Sequence, residues 1–239
     1  MRSATCVPIP AMLLCGLVCL PGCGGITDQT LAQEHAQWGH HWHLDLSGSR
    51  VTDAGLVYLR DLSRLQSLRL SDTAITDQGL VHLKTLTSLV LLDLRGTRIN
   101  GHGLSHVRGH RQLRDLYLGQ TEIDDPALAH LGGLPSISTL SLDDTAITDA
   151  GLRHVGLLGR LEHLSLRGTA VGDAGLVHLG RVKSLTSLNL ESTRVSAEGL
   201  KHLSSLKNLR HLWVRGTQIG GAEAANWQAG LDFDLELHR

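Results

Sequence analysis

Leu65-Gln-Ser-Leu68-Arg-Leu70-Ser-Asp-Thr73-Ala-Ile75-Thr-Asp77-Gln-Gly79-Leu80-Val-His-Leu83-Lys-Thr-Leu86 contains one complete structural unit. Polarity alternates across Leu68-Arg69-Leu70, so both leucines face one way and Arg69 the other, as on a strand. Thr76 then supplies a helix N-cap, and Asp77 places negative charge at the helix start, where the dipole favours it. Leu80, Leu83 and Leu86 follow at i, i+3 and i+6, one stripe along a short helix. A single strand and helix cannot bury these faces alone, so the unit needs neighbours of its own kind.

The neighbours are present. Paired apolar residues recur at Leu44/Leu46, Leu68/Leu70, Leu92/Leu94 and Leu116/Leu118, then at Leu140/Leu142, Leu164/Leu166, Leu188/Leu190 and Leu212/Val214. Each step is 24 residues, without insertion, over eight copies. A hydroxyl residue follows each pair at a fixed offset, from Ser49 and Thr73 to Thr217, and most copies continue as Ile-Thr-Asp-x-Gly-Leu. A fixed period of this length is the mark of a stacked solenoid. The strands should then form a parallel sheet about 4.8 Å apart, with the helices on the other side.

The unit Leu-x-x-Leu-x-Leu-x-x-Thr-x-Ile-Thr-Asp-x-Gly-Leu-x-x-Leu-x-x-Leu resembles the leucine-rich repeat. The subtype is similar to that of bacterial leucine-rich repeat lipoproteins and of F-box ubiquitin-ligase subunits. The resemblance covers residues 41–221, with Asn100-Gly101, Pro126-Ala127 and Gly220–Ala224 departing from the pattern. It implies an α/β fold: a right-handed horseshoe with a concave parallel sheet and short convex helices. Within it, the Thr73 hydroxyl and its equivalents should satisfy backbone groups of adjacent turns. Gly79 and its equivalents should let the helix start pack closely on the next turn. Residues 26–38 read as a capping half-repeat without a strand of its own. Phe233-Asp-Leu-Glu-Leu237 reads as a further edge strand, set 23 residues after Leu212/Val214, with Trp227 over the last core layer.

The chain has 239 residues, 41% hydrophobic and 19% charged, with net charge −1. Those values suit a globular protein and give no basic field for nucleic acid. Ala11–Leu20 is an apolar run too short to span a bilayer as a helix, yet suited to the core of an export signal. Leu20-Pro21-Gly22-Cys23 resembles a bacterial lipobox, and all four cysteines lie at or before Cys23. The expected organisation is a lipoprotein signal over residues 1–22, then lipidated Cys23 with a short tether and cap over 23–40. Eight repeats span 41–221, and a C-terminal cap spans 222–239. The protein is thus expected to be exported and lipid-anchored to a bacterial membrane, with a plain secretory signal or uncleaved anchor as alternatives.

No nucleophile motif, phosphate loop, metalloprotease helix or paired-cysteine motif occurs, so no catalytic, cofactor or metal residue is assigned. His82, His106, His130, His154, His178 and His202 recur on the helix flank, with Tyr58 in the first copy. Packed helices stand about 8–10 Å apart, too far for adjacent members to share an ion. His41 and His43, beside His35 and His40, point in different directions. Asp143-Asp144 and Asp232-x-Asp234 read as solvated surface charge.

The outward strand positions vary between copies and hold five acids and four arginines, a mixed surface suited to a protein or peptide partner. Aromatic and arginine side chains carry most interface energy. Candidate partner-binding residues are therefore Trp213 and Arg215, with Arg167, Asn189 and Glu191 nearby, and Tyr117 with Arg95. The leading expectation is an extracytoplasmic interaction module. A self-associating envelope protein is the alternative; a ubiquitin-ligase substrate receptor is disfavoured because no F-box precedes the repeats.

Overall fold

The computed structural model describes residues 17–19, 25–34, 38, 41–231 and 233–238, so Cys23, His35, His40 and Asp232 lie outside the described residues. Each apolar pair opens on a strand of three residues: β2 (His43–Asp45), β3 (Ser67–Arg69), β4 (Leu91–Asp93), β5 (Asp115–Tyr117), β6 (Thr139–Ser141), β7 (His163–Ser165), β8 (Ser187–Asn189) and β9 (His211–Trp213). With β1 (Leu17–Cys19) and β10 (Glu236–His238) they form one parallel sheet in chain order. The constant step sets the register, with Leu44 opposite Leu68, Leu68 opposite Leu92 and Leu188 opposite Leu212. Inward leucines therefore stack on their own equivalents, and a continuous column of Leu, Ile and Val runs from Leu31 to Leu235.

The convex side mixes helix types. α1 (Asp28–Glu34), α2 (Asp53–Leu56), α3 (Asp149–Val155), α4 (Asp173–Leu179), α5 (Ala197–Leu200) and α6 (Gly221–Ala229) are α-helical. Gly79–Leu83, His102–Val107 and Asp125–Gly133 are 3₁₀ segments. Leucines spaced by three suit a helix of about three residues per turn, in which i and i+3 eclipse.

Two ladders hold the turns, and both differ from the expectation. The Thr73 hydroxyl donates to the carbonyl of Leu70 in its own turn at 2.6 Å, as Thr97 does to Leu94 and Thr145 to Leu142. Links between repeats come instead from the aspartate of the Thr-Asp motif. Asp53 accepts from the Thr76 backbone N–H at 2.8 Å and from its hydroxyl at 2.5 Å. Asp28 serves Thr52 in the same way, Asp125 serves Thr148, and Asp173 serves Ser196. The same threonine also accepts from the N–H two residues on, Gln78 to Thr76 Oγ1 at 3.2 Å, and at α2 the equivalent bond from Ala54 to Thr52 is the helix cap. Gly79 packs against this preceding aspartate and Leu56, not against the next turn; a Cβ there would collide with the Asp53 carboxylate.

One further device has no shared residue type. The position just before each turn hydroxyl is left-handed in all eight repeats: Gly48, Asp72, Gly96, Gln120, Asp144, Gly168, Ser192 and Gly216 have φ between 53° and 71°. The strand must reverse sharply there to enter the convex segment.

The ends also depart from the expectation. β10 pairs with β9 as Leu237 opposite Leu212. This is a 25-residue step and not the expected 23; Leu235, ahead of the strand, is drawn into the core, and Phe233 packs partly buried against the core. Trp227 packs on the last layer, and its ring N–H donates to Ser204 Oγ at 3.1 Å. The N-terminal half-repeat does have a strand: Leu17–Cys19, within the segment read as an export signal, pairs with His43–Asp45. An unpaired edge of β2 accepts any extended segment with free backbone groups.

Candidate functional site

β4 to β9 curve around a groove of about 300 Å³ on the concave face. Its floor carries Thr139, Ser141, Ser165 and Ser187, and its lining includes Tyr117 and Trp213. Arg95, Asp143, His163 and Asn189 complete the polar part. Alternation on the strands makes this possible, since each three-residue strand buries its central leucine and presents the residues on either side.

The side chains in the groove are held in place. Arg95 donates to Asp93 through Nε at 3.0 Å and Nη2 at 2.6 Å, and its guanidinium lies 5.2 Å from the centre of the Tyr117 ring. Asp93 itself is almost wholly buried, so this carboxylate, expected on the open surface, depends on Arg95 for neutralisation. The hydrogen bond to Asp93 holds the Arg95 pKa above its ordinary value. Burial, reinforced by the Asp115 charge, raises that of Tyr117.

Asp143 is likewise more than solvated charge. It accepts from Ser141 Oγ at 3.0 Å, from Ser165 Oγ and from the Arg167 backbone N–H at 3.1 Å. Asp144 beside it is exposed and left-handed, so the two acids do not act as a pair. The floor is therefore rich in hydroxyls, with one hydrogen-bonded carboxylate among them, and lies between two aromatic side chains.

Of the residues nominated from sequence, the groove unites Arg95, Tyr117, Asn189 and Trp213. Glu191 is outside its lining but tied to it, because Asn189 accepts from the Glu191 N–H at 2.8 Å. Arg167 and Arg215 are exposed past the strand ends and do not line the groove. Sequence reasoning missed the serine floor, which a search for large contact residues passes over. A second concavity of about 370 Å³ lies around β2–β5 between His43, Arg69 and Asp115, and contains none of the nominated residues.

The flank histidines His82, His106, His130, His154 and His178 are half-buried and His202 is exposed. His82 Nδ1 accepts from Arg60 Nε at 3.0 Å, and Arg153 Nε donates to His154 Nε2 at 3.1 Å. Burial, then the arginine charge, lowers both pKa values.

Segments 43–59, 63–84 and 183–204 match a family model described as Leucine Rich repeat. The crystal structure of internalin C2 from Listeria monocytogenes superposes with a TM-score of 0.68 at 28% identity, over 85% of this chain and 83% of that one. A leucine-rich repeat protein of Leptospira interrogans gives a TM-score of 0.61 at 18% identity, over 87% of this chain and 57% of that one, a likeness of fold. A search of curated proteins finds no match. The chain is a leucine-rich repeat protein. Its fold is that of an interaction module for proteins and peptides.

Proposed function

We propose that this protein is a lipid-anchored extracytoplasmic module that holds an extended segment of a partner protein in the groove containing Tyr117 and Trp213. The observation that supports this most is the lining itself. Serine and threonine hydroxyls can meet main-chain amides, while Tyr117 and Trp213 offer large contact areas at low entropic cost. Asp93 is ion-paired with Arg95, whereas Asp143 is held by neutral donors, so the groove's lining carries one uncompensated carboxylate and disfavours a strongly acidic ligand. A photoreactive amino acid at Ser187, on the groove floor, should cross-link a partner in intact cells. The same probe at Glu198, on convex α5, should not. Cross-links from Ser187 only to other copies of this chain would favour the self-associating alternative.

The anchor rests on the lipobox-like Leu20-Pro21-Gly22-Cys23, supported by the short apolar run before it. From Cys23 to Ile26 the extended chain reaches at most roughly 10 Å, so the N-terminal cap would sit close to the membrane. Cleavage before Cys23 would remove β1 and leave the edge of β2 open. Mass spectrometry of the purified protein should show a diacylglyceryl-modified Cys23, and Cys23→Ser should abolish palmitate labelling. An unmodified N-terminus at any other residue would remove the anchor from this account.

A further inference from the structure

Outside the groove's lining, the last two strands bring three metal-ligating groups together. Pairing sets His211 opposite Glu236 and Trp213 opposite His238, while Leu212 is opposite Leu237. Leu212 is buried and Leu237 packs on the core, so alternation puts His211, Glu236 and His238 on the concave face. His211 Nδ1 lies 3.1 Å from Glu236 Oε2, and His238 Nε2 lies 3.9 Å from the same oxygen. The three atoms fall within 4.8 Å of one another.

His238 Nε2 is shielded from solvent and has no hydrogen-bond partner among the described residues. Shielded nitrogens are ordinarily satisfied, so this one calls for a ligand. Its ring is already oriented, stacking on Trp213 with centroids 4.6 Å apart and planes 12° from parallel. We propose that His211, Glu236 and His238 form a binding site for a divalent transition-metal ion of the zinc class. Two imidazoles and one carboxylate suit zinc better than magnesium or calcium, which prefer all-oxygen shells.

Ligand atoms about 2.0–2.2 Å from zinc stand roughly 3.3 Å apart in a tetrahedron. The His211–Glu236 pair already has nearly that spacing. Rotation of the exposed Glu236 side chain can shorten its 3.9 Å separation from His238, and a tilt of the part-exposed His211 ring must bring the two imidazoles together. Three protein ligands leave a fourth position for water or for a donor from a bound partner. Because the ligands come from β9 and β10, the ion would fasten the cap to the last repeat. The helix-flank histidines offer no equivalent, since they recur singly and His82 and His154 are occupied by arginines.

Zinc chloride titrated into the intact chain, free of any histidine tag, tests the site by calorimetry at neutral pH. One equivalent should bind, and the melting midpoint should rise. His238→Ala and Glu236→Gln should each weaken binding at least about tenfold, with the metal-free far-UV spectrum unchanged. Imidazole proton–nitrogen correlation spectra of the unsubstituted protein give a second readout that does not depend on a variant folding. Zinc should shift the His211 and His238 resonances first. No saturable binding below about 0.1 mM would overturn the proposal. So would full affinity in the His211→Ala/His238→Ala double variant, or shifts confined to other histidines such as His41 and His43.

Discussion

Asp53 belongs to one repeat and caps the next. Its two oxygens take the N–H and the hydroxyl of Thr76, which in turn accepts from the Gln78 N–H just ahead of the Gly79–Leu83 segment. Hydrogen bonds to a charged acceptor contribute more than neutral ones, and removing the acceptor leaves both donors to find water. Asp53→Ala should therefore cost about 1–3 kcal/mol in urea titration. An Asp53→Ala midpoint matching wild type would show that the ladder is ornamental. Arg95 shows the same interdependence at the groove: truncating it would strand the buried Asp93, so Arg95→Ala tests folding before it tests binding.

His110 stands where other repeats have Leu62, Leu86, Leu134, Leu158 or Leu206, and it is fully buried. Its ring nitrogens lie 2.9 Å from the Val107 carbonyl and 3.1 Å from that of Leu83. A neutral imidazole can donate to only one of them. Burial lowers its pKa in the folded state, an effect only partly offset by the two carbonyls. With the folded pKa below the unfolded one, the unfolded chain binds the extra proton first as pH falls. Stability should thus be full above the ordinary histidine value near 6.5 and decline as pH drops below it. His110→Leu should flatten that part of the stability–pH curve between about pH 5 and 7. An unchanged slope in the variant would locate the dependence elsewhere.

At the scale of elements, the strands and their order were legible because a period of two inside a period of 24 leaves one consistent register. The inter-repeat ladder was not, because Thr-Asp reads equally well as a cap for its own helix. The left-handed turn was hidden by its occupants: Gly, Asp, Gln and Ser share no side-chain chemistry, only a tolerated backbone. β10 was found but displaced by two residues, since Leu235 and Leu237 alternate identically in either register.

These findings make one substitution testable. Gly172 replaces the capping threonine, and α4 has no side-chain cap. Its backbone is extended, at φ −127°, and a Cβ there would meet Asp149 Oδ2 at an ordinary 3.6 Å. Gly172→Thr should restore both the cap and the second bond to Asp149. Thermal melting should show a gain of about 0.5–2 kcal/mol. Gly101→Asp, which also moves toward the motif, should instead destabilise, because φ is 104° and a Cβ would strike Ala127.

For the whole molecule, a solenoid gives each repeat only two neighbours, so core and concave positions can vary independently. That independence allows serines and aromatics to collect on β5 to β9 while Leu116, Leu140 and Leu188 stay buried beneath them. The groove was half legible in the sequence. Tyr117 and Trp213 stood out by type and line it, whereas Arg167 and Arg215, nominated by type and by nearness to Trp213, lie outside its lining.

The central claim is that this concave groove binds a partner. Calorimetric affinity of the cross-linked and purified partner tests it most directly. Trp213→Ala and Tyr117→Ala should each weaken binding by at least about 2 kcal/mol, roughly thirtyfold, and Lys84→Ala on the convex side should leave it unchanged. Equal affinity for wild type, Trp213→Ala and Tyr117→Ala, with all three folded, would move the site off the concave face and contradict the account.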